Sequence, residues 1–367
     1  MTTFHGKHAM LCVLSVFLGG ASISTNASDV KVYYQEDYNK DHEDVKAIFA
    51  TQAMGTLVKA TVFAKDRKTI ERMARQFSRT LTRHENFTTV HKPSPMTTLN
   101  SKSGEWVCIP CEAAHILQKA KDVAAYTNGA FDPTIGSITA EWAIGFGGRS
   151  LPQEASIQDA RKLVDWRKIS VDFKDEGKGL CQARIGKGQI VDLGGIVKGW
   201  SNEVLANQVK KDGAHRAMVV LGGNTAFVGK PTYSNNWLTP IPMPDNNRLY
   251  GGYFRLSEGD IVSTSGDMER HIDIDGQRYG HIMNGKTGKP AQNKFAYVTV
   301  IDSDGARGDA LSTALWVMGD KAFDFLKAHP EIQALLVMKE VRVAYITPNL
   351  ANRTYVKSER LTLNNIE

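Results

Sequence analysis

Cysteine is scarce in this chain, long apolar runs are absent, and positive charge is nowhere concentrated. Four cysteines occur in 367 residues. They include a single Cys-x-x-Cys, at Cys108–Cys111, and no second pair to complete a zinc site. No thioredoxin-like strand–helix–strand pattern surrounds that pair, which argues against a catalytic dithiol. The formal charge of +6 is spread along the chain. Blocks of Lys and Arg interleaved with aromatics are missing, so nucleic-acid binding has little support. A mild positive balance suits an anionic small molecule instead. Neither a Walker loop nor a Gly-x-Gly-x-x-Gly fingerprint occurs, so the usual nucleotide folds do not apply. No internal repeat, low-complexity linker or second apolar span is visible, which leaves one large domain or two intimately packed ones.

What is present begins with a weakly basic start at His5, Lys7 and His8. The apolar run Ala9–Leu18 follows, shorter than the ~20 residues that span a bilayer. Small residues and Thr25-Asn26-Ala27 complete the pattern of a cleaved secretory signal over 1–27. No twin-arginine pair and no Leu-x-x-Cys accompany it. An exported protein meets an oxidising compartment, so Cys108 and Cys111 are expected to form a local structural disulfide, with two free thiols as the alternative, and Cys181 to be buried. The division expected is a signal peptide (1–27), a loosely held N-terminal arm (28–50) carrying a short edge strand at Lys31–Tyr34, a folded unit (51–350) and a C-terminal tail (351–367).

Within the folded unit, Leu57–Ala64 alternates as a strand. Ile70, Met73, Phe77 and Leu81 then recur at helical spacing after Asp66. Ser94–Asn100 reads as a loop. Glu112–Asn128 is a helix ended by Gly129, and Gly129–Gly136 is a sharply turning loop around Asp132-Pro133. Ser156 and Asp159 read as a capping box opening a helix through Val164. Gln189–Val191 is a strand that runs through Gly194-Gly195 into a helix containing Val204, Leu205 and Val209. That geometry bares backbone groups at a helix N-terminus, where an anion is favoured, and Lys198 adds a full charge. Ala217–Leu221 ends in the glycine turn Gly222-Gly223-Asn224, Trp237–Pro244 reads as a loop, and His281 stands in a tight turn between Gly280 and Gly285. Gly308–Gly319 is a helix in which Asp309 and Thr313, four apart, stack on one side of the first turn. A carboxylate and a hydroxyl so placed offer two hard oxygens to Mg²⁺. The plainer alternative is a dipole-favoured Asp and a Thr bonded back to the backbone.

Seven motifs occur in order: Met54-Gly55-Thr56, Gly129-Ala-Phe-Asp-Pro-Thr-Ile-Gly136, Asp192-Leu-Gly-Gly-Ile-Val-Lys-Gly199, Gly222-Gly-Asn224, Thr264-Ser-Gly-Asp-Met-Glu-Arg270, His281-Ile-x-x-x-x-Thr-Gly-x-Pro290 and Asp309-Ala-Leu-Ser-Thr-Ala-Leu315. Together they resemble the ApbE family of Mg²⁺-dependent FAD:protein FMN transferases, from about Met54 to Met338. The resemblance implies an α+β fold, a single two-lobed unit of mixed and antiparallel sheets packed with helices, with FAD in the cleft. It implies FAD contacts from Met54, Ala130, Phe131, Asp132, Asp192, Lys198 and Met283. It places the metal on the Gly195 carbonyl and the side chains of Asp309 and Thr313, and His281 as general base. The family reads His-Ile-Ile-Asp-Pro where this chain has Met283, Asn284 and Gly285; it has Tyr at Met268 and Asp at Glu203, and some members carry Asp at Ser312.

The chemistry implied is in-line displacement at the FAD pyrophosphate, mostly a matter of positioning and charge neutralisation. The acceptor would be a Thr or Ser of an exported or membrane redox subunit, so this periplasmic protein would meet the membrane only through its acceptor. FAD hydrolysis to FMN and AMP is the nearest alternative. A non-catalytic flavin carrier is a different class, and the retained Asp309, Thr313 and Lys198 argue against it.

Overall fold

The computed structural model describes residues 30–35, 44–148, 150–231, 234–246, 248–266, 271–340, 342–357 and 359–367. The expected signal peptide and the Asp267–Arg270 part of the fifth motif lie outside them.

Ten strands join into one sheet whose spatial order follows the chain. Lys31–Tyr34, Val45–Ala53 and Thr56–Ala64 come first, then Arg216–Leu221, Asn224–Val228 and Ile261–Gly266, then Phe295–Asp302, Gln333–Met338, Val343–Ile346 and Thr362–Asn365. Neighbours are antiparallel except the last pair, which is parallel. Two-residue turns at Met54-Gly55 and Gly222-Gly223 fold Val45–Ala53 onto Thr56–Ala64 and Arg216–Leu221 onto Asn224–Val228. Val58, Ala60 and Val62 are buried on one face of their strand while Thr61 and Phe63 are buried on the other, as befits a strand covered on both sides.

The Arg67–Thr88 helix starts at the N-cap Asp66 and lays Ile70, Met73, Phe77 and Leu81 onto this sheet, each buried. Each such side chain contributes about 1.5–3 kcal/mol. A second core lies under a three-stranded sheet of Val107–Pro110, Leu180–Arg184 and Ser170–Asp175, packed with the Cys111–Tyr126 helix. Helix Val197–Lys211 contributes side chains to both cores, helix Gly305–Met318 contributes to the second core and to a further cluster against Phe295–Asp302, and Met54 packs against both of the first two. This is the α+β architecture expected. Among the described residues no helix is long and apolar enough to cross a membrane.

Several local expectations need correcting. Residues 45–50 are not a loose arm; they belong to a nine-residue strand paired along its whole length with Thr56–Ala64. The 351–367 tail carries Thr354–Val356 and Thr362–Asn365, both paired into sheets. Ser94–Asn100 is not a loop, because Ser94 and Thr97 form a reciprocal capping box that starts the Pro95–Ser101 helix. The helix expected from Ser156 runs instead over Glu154–Arg161 without a side-chain cap. Gln189–Val191 is reduced to one bridge, Ile135 to Ile190. Trp237–Pro242 is a strand, its prolines tolerated at the edge of a small sheet.

The disulfide also differs. Cys111 bonds Cys181, and Cys108 is free and exposed. Strand alternation explains this: Cys108 points outward on Val107–Pro110, while Cys181 is buried and pairs in register with Ile109, next to the helix start at Cys111. The burial expected for Cys181 holds.

Candidate active site

The Val197–Lys211 and Gly305–Met318 helices cross backbone to backbone. A Cβ on Gly199 would lie 2.0 Å from the Gly305 carbonyl oxygen, and one on Gly305 would lie 2.3 Å from that of Gly199. Glycine at both positions is therefore a steric requirement. At this crossing the Gly199 amide donates to Asp309 Oδ2 at 2.9 Å, and Asn224 Nδ2 donates to Oδ1 at 3.2 Å. Asp309 is 3% exposed. Both of these donors are neutral, so they orient the buried carboxylate without cancelling its charge, and such a group is costly unless something cationic meets it.

The helix starts earlier than expected, with Asp304 as N-cap accepting from the Arg307 amide at 3.0 Å. Asp309 and Thr313 consequently stack beyond the first turn. Thr313 Oγ1 lies 3.3 Å from the Asp309 carbonyl and 3.3 Å from Ser265 Oγ. Ser312 Oγ reaches the same carbonyl at 2.8 Å and Ser265 Oγ at 2.7 Å. A Cβ on Gly195 would stand 3.4 Å from Thr313 Oγ1 and 3.2 Å from the Phe131 ring, so Gly195 lies between the Asp309 helix and the Gly129–Gly136 motif. Among the described residues no three His, Cys, Asp or Glu side chains converge on a metal position. One carboxylate, one hydroxyl and one carbonyl make a sparse, hard-oxygen set. That fits Mg²⁺, which usually completes its shell with water and phosphate, and it does not fit a soft or carboxylate-rich metal site.

The first and fourth motifs meet at two abutting turns. Met54 and Gly55 have φ of 51° and 68°, the mirror-image turn that tight hairpins favour. Methionine in the left-handed region costs about 1–2 kcal/mol. Its amide is held by Glu85 Oε1 at 3.1 Å, and a Cβ on the neighbouring Gly222 would lie 3.1 Å from Thr56 Oγ1.

Asp192 Oδ1 accepts the Gly194 amide at 2.8 Å and Oδ2 the Thr139 hydroxyl at 3.3 Å, while Lys198 Nζ closes the turn on the Gly194 carbonyl at 2.6 Å. Ala130 and Phe131 enter the second core. Asp132 is buried, and its oxygens are taken by the Thr134 amide and hydroxyl and by the Trp166 amide. Burial pushes its carboxyl above the usual range. Its visible work is to shape the loop. Met283 is likewise buried, in a cluster with Ile138, Trp142 and Ile157, and Trp142 Nε1 donates to the Gly288 carbonyl at 2.9 Å. That contact seats the 281–290 turn on the Gly136–Trp142 helix, which follows the Gly129–Gly136 loop. His281 stands half-buried between the hairpin ending at Gly280 and the Met283–Pro290 turn. Asn284 Oδ1 accepts the Lys286 and Thr287 amides at 2.9 and 3.3 Å, so it shapes this turn through the oxygen an Asp would share, without the charge.

Sequence reasoning missed Asn224, Ser265, Glu85 and the Gly199 amide as holders of the site. The Gly222-Gly223-Asn224 turn was the available signal, but nothing in it named a carboxylate 85 positions away.

Comparison with known proteins now adds to this geometry. Residues 54–336 match the model of the ApbE family. A FAD:protein FMN transferase of Klebsiella pneumoniae is 27% identical over 303 residues, covering 82% of this chain and 92% of the relative. One from Vibrio cholerae is 26% identical over 260 residues, covering 70% and 76%. Among solved structures, the ApbE protein of Thermotoga maritima superposes with a TM-score of 0.74 at 26% identity, covering 84% of this chain and 99% of that one. The apo flavinyl transferase ApbE of Pseudomonas stutzeri gives 0.74 at 24% identity over 85% and 98%, a likeness of fold.

Proposed function

Because this chain belongs to the ApbE family, we propose that it moves FMN from FAD to a Thr or Ser hydroxyl of an exported or membrane-bound redox protein, in a Mg²⁺-dependent reaction that releases AMP. The observation that carries the reading is the contact of Phe131, Gly195 and Thr313 beside the buried Asp309 carboxylate. The carboxylate, the Thr313 hydroxyl and the Gly195 carbonyl would hold Mg²⁺. When bound, the ion would neutralise charge gathering on the pyrophosphate oxygens.

The protein's own groups divide the remaining work. FAD would lie in the cleft between the two cores, held by Met54, Ala130, Phe131, Asp132, Asp192, Lys198 and Met283, with Asp132 also shaping its own loop. Lys198, near the N-terminus of its helix, faces an anion favourably. The acceptor hydroxyl attacks the phosphorus nearer the flavin, the P–O bond to the AMP phosphate breaks, and His281 takes the hydroxyl proton. General-base help of this kind is worth ~10²–10⁴-fold.

Incubating the protein with FAD, Mg²⁺ and exported redox subunits tests the reading. Mass spectrometry should find FMN joined through a phosphoester to Thr or Ser, with AMP released in equal amount. Free FMN and an unmodified acceptor would make the protein a FAD pyrophosphatase. A yellow protein that returns its FAD unchanged would make it a carrier. Export to the periplasm belongs to the same proposal, and sequencing of the exported protein should begin near Ser28.

A further inference from the structure

Behind Asp309 the structure leaves three polar side chains wholly buried with atoms that have no hydrogen-bond partner. Asn202, Asn224 and Ser263 are each 0% exposed. Both polar atoms of Asn202, the Oδ1 of Asn224 and the Oγ of Ser263 are unsatisfied. Leaving such atoms bare costs about 1–3 kcal/mol each, and native interiors meet that demand with partners or with ordered water.

Asn224 and Ser263 face one another by register. Asn224 pairs with Ser263 across adjacent strands, and two residues along, Ala226 pairs with Ile261. Ala226 and Ile261 line a cavity of about 130 Å³ together with Ala206 of the Val197–Lys211 helix. Asn202 is buried one turn before Ala206 on that helix, which packs against the Asn224–Val228 strand. Asn224 holds Asp309 Oδ1 through its Nδ2. A Cβ on Gly308 would lie 3.2 Å from Ser263 Oγ, so Ser263 lies against the same helix one residue before the carboxylate. Glu203, Lys210 and Glu258 also line the cavity, so it has a polar rim, and Asn202, Asn224 and Ser263 lie in the layer beyond it.

We infer that Asn202, Asn224 and Ser263 enclose an internal water site, and that Asn202 and Ser263 are positioning residues that fix Asp309 through Asn224. The donor and acceptor balance suits water. It can donate to the Asn224 and Asn202 oxygens and accept from Asn202 Nδ2 or the Ser263 hydroxyl, two to four bonds in all. A bare cation would meet the Asn202 amide hydrogens. The consequence for metal affinity rests on the reading of Asp309 as a metal ligand; the water site itself does not.

Asn202→Leu and Ser263→Ala test both halves. With Mn²⁺ alone as probe, titration calorimetry should show binding about 10-fold weaker in each, as expected when the orientation of a ligand is lost. Both should melt below the wild type, and Asn202→Ser, which keeps a hydroxyl and leaves room for a second water, should recover most of the affinity. If the atoms were unhydrated, removing them would relieve a penalty, so apolar variants that melt at or above the wild type with unchanged Mn²⁺ binding would overturn the inference. A wild type that binds no Mn²⁺ would sink the metal reading alone, and the water site would then stand or fall on the melting comparison.

Discussion

The Gly199 amide donates to Asp309 Oδ2 at 2.9 Å across a helix crossing so close that neither Gly199 nor Gly305 can carry a Cβ. One contact thus joins the glycine-rich turn to the carboxylate and fixes the separation of the two helices. Gly199→Ala should force the helices apart and break this bond. Overpacking of that kind costs about 1–3 kcal/mol, so the melting temperature should drop and transfer activity should fall with it. Normal activity at an unchanged melting temperature would remove the crossing from the design of the site.

Asp309→Asn keeps the size of the side chain and removes the charged oxygen that Mg²⁺ prefers. FMN transfer should fall by at least ~100-fold, while FAD binding, followed by flavin fluorescence, should persist. Thr313→Val should raise the Mg²⁺ concentration needed for half-maximal rate and leave the fold intact. Turnover at wild-type rate by the Asn variant in low Mg²⁺ would show that Asp309 is no ligand.

His281→Ala should leave FAD and Mg²⁺ binding intact and slow FMN attachment by ~10²–10⁴-fold, the usual worth of a general base. The acceptor's mass reports this directly, and unimpaired attachment would take His281 out of the mechanism.

His84 is wholly buried against Trp200, with Ser201 Oγ 3.1 Å from Nδ1 and Glu112 Oε1 3.3 Å from Nε2. Burial holds its pKa below the ordinary value of 6.5, and Glu112 opposes that only in part. Glu112 is itself held below 4.5, chiefly by its hydrogen bond to His84. Below about pH 6.5 the unfolded chain therefore binds more protons than the folded one, and stability is lost as pH falls. His84→Gln keeps hydrogen-bonding atoms without titrating, so its melting temperature should change less than the wild type's from pH 7 to pH 5. Parallel curves would refute the assignment.

The Cys111–Cys181 bond closes a 70-residue separation, for which chain entropy gives about 4 kcal/mol. Cys181→Ser should lower the denaturant midpoint under non-reducing conditions, and the native protein prepared without residues 1–27, and so without Cys12, should take up one thiol label, at Cys108. A peptide map showing Cys108 joined to Cys111 would restore the local bridge that their spacing suggests.

The sequence by itself was enough for the buried faces of Leu57–Ala64 and of the helix around Ile70 and Phe77, and for the stacking of Asp309 with Thr313. Those features follow from periods of two and 3.6 residues, which local pattern records. It also carried the ApbE resemblance, because ordered motifs are a property of the chain. Tertiary structure alone decided which residues hold Asp309, since Gly199 and Asn224 lie 110 and 85 positions away. It alone chose Cys181 over Cys108 as the partner of Cys111, because a disulfide needs close Cβ atoms and strand alternation turned Cys108 outward. It alone drew 45–50, 354–356 and 362–365 into sheets, since a short strand is stabilised by the neighbours that pair with it more than by its own propensity. Distance along the chain says nothing about such meetings; they exist once the cores have packed and helices Val197–Lys211 and Gly305–Met318 have crossed.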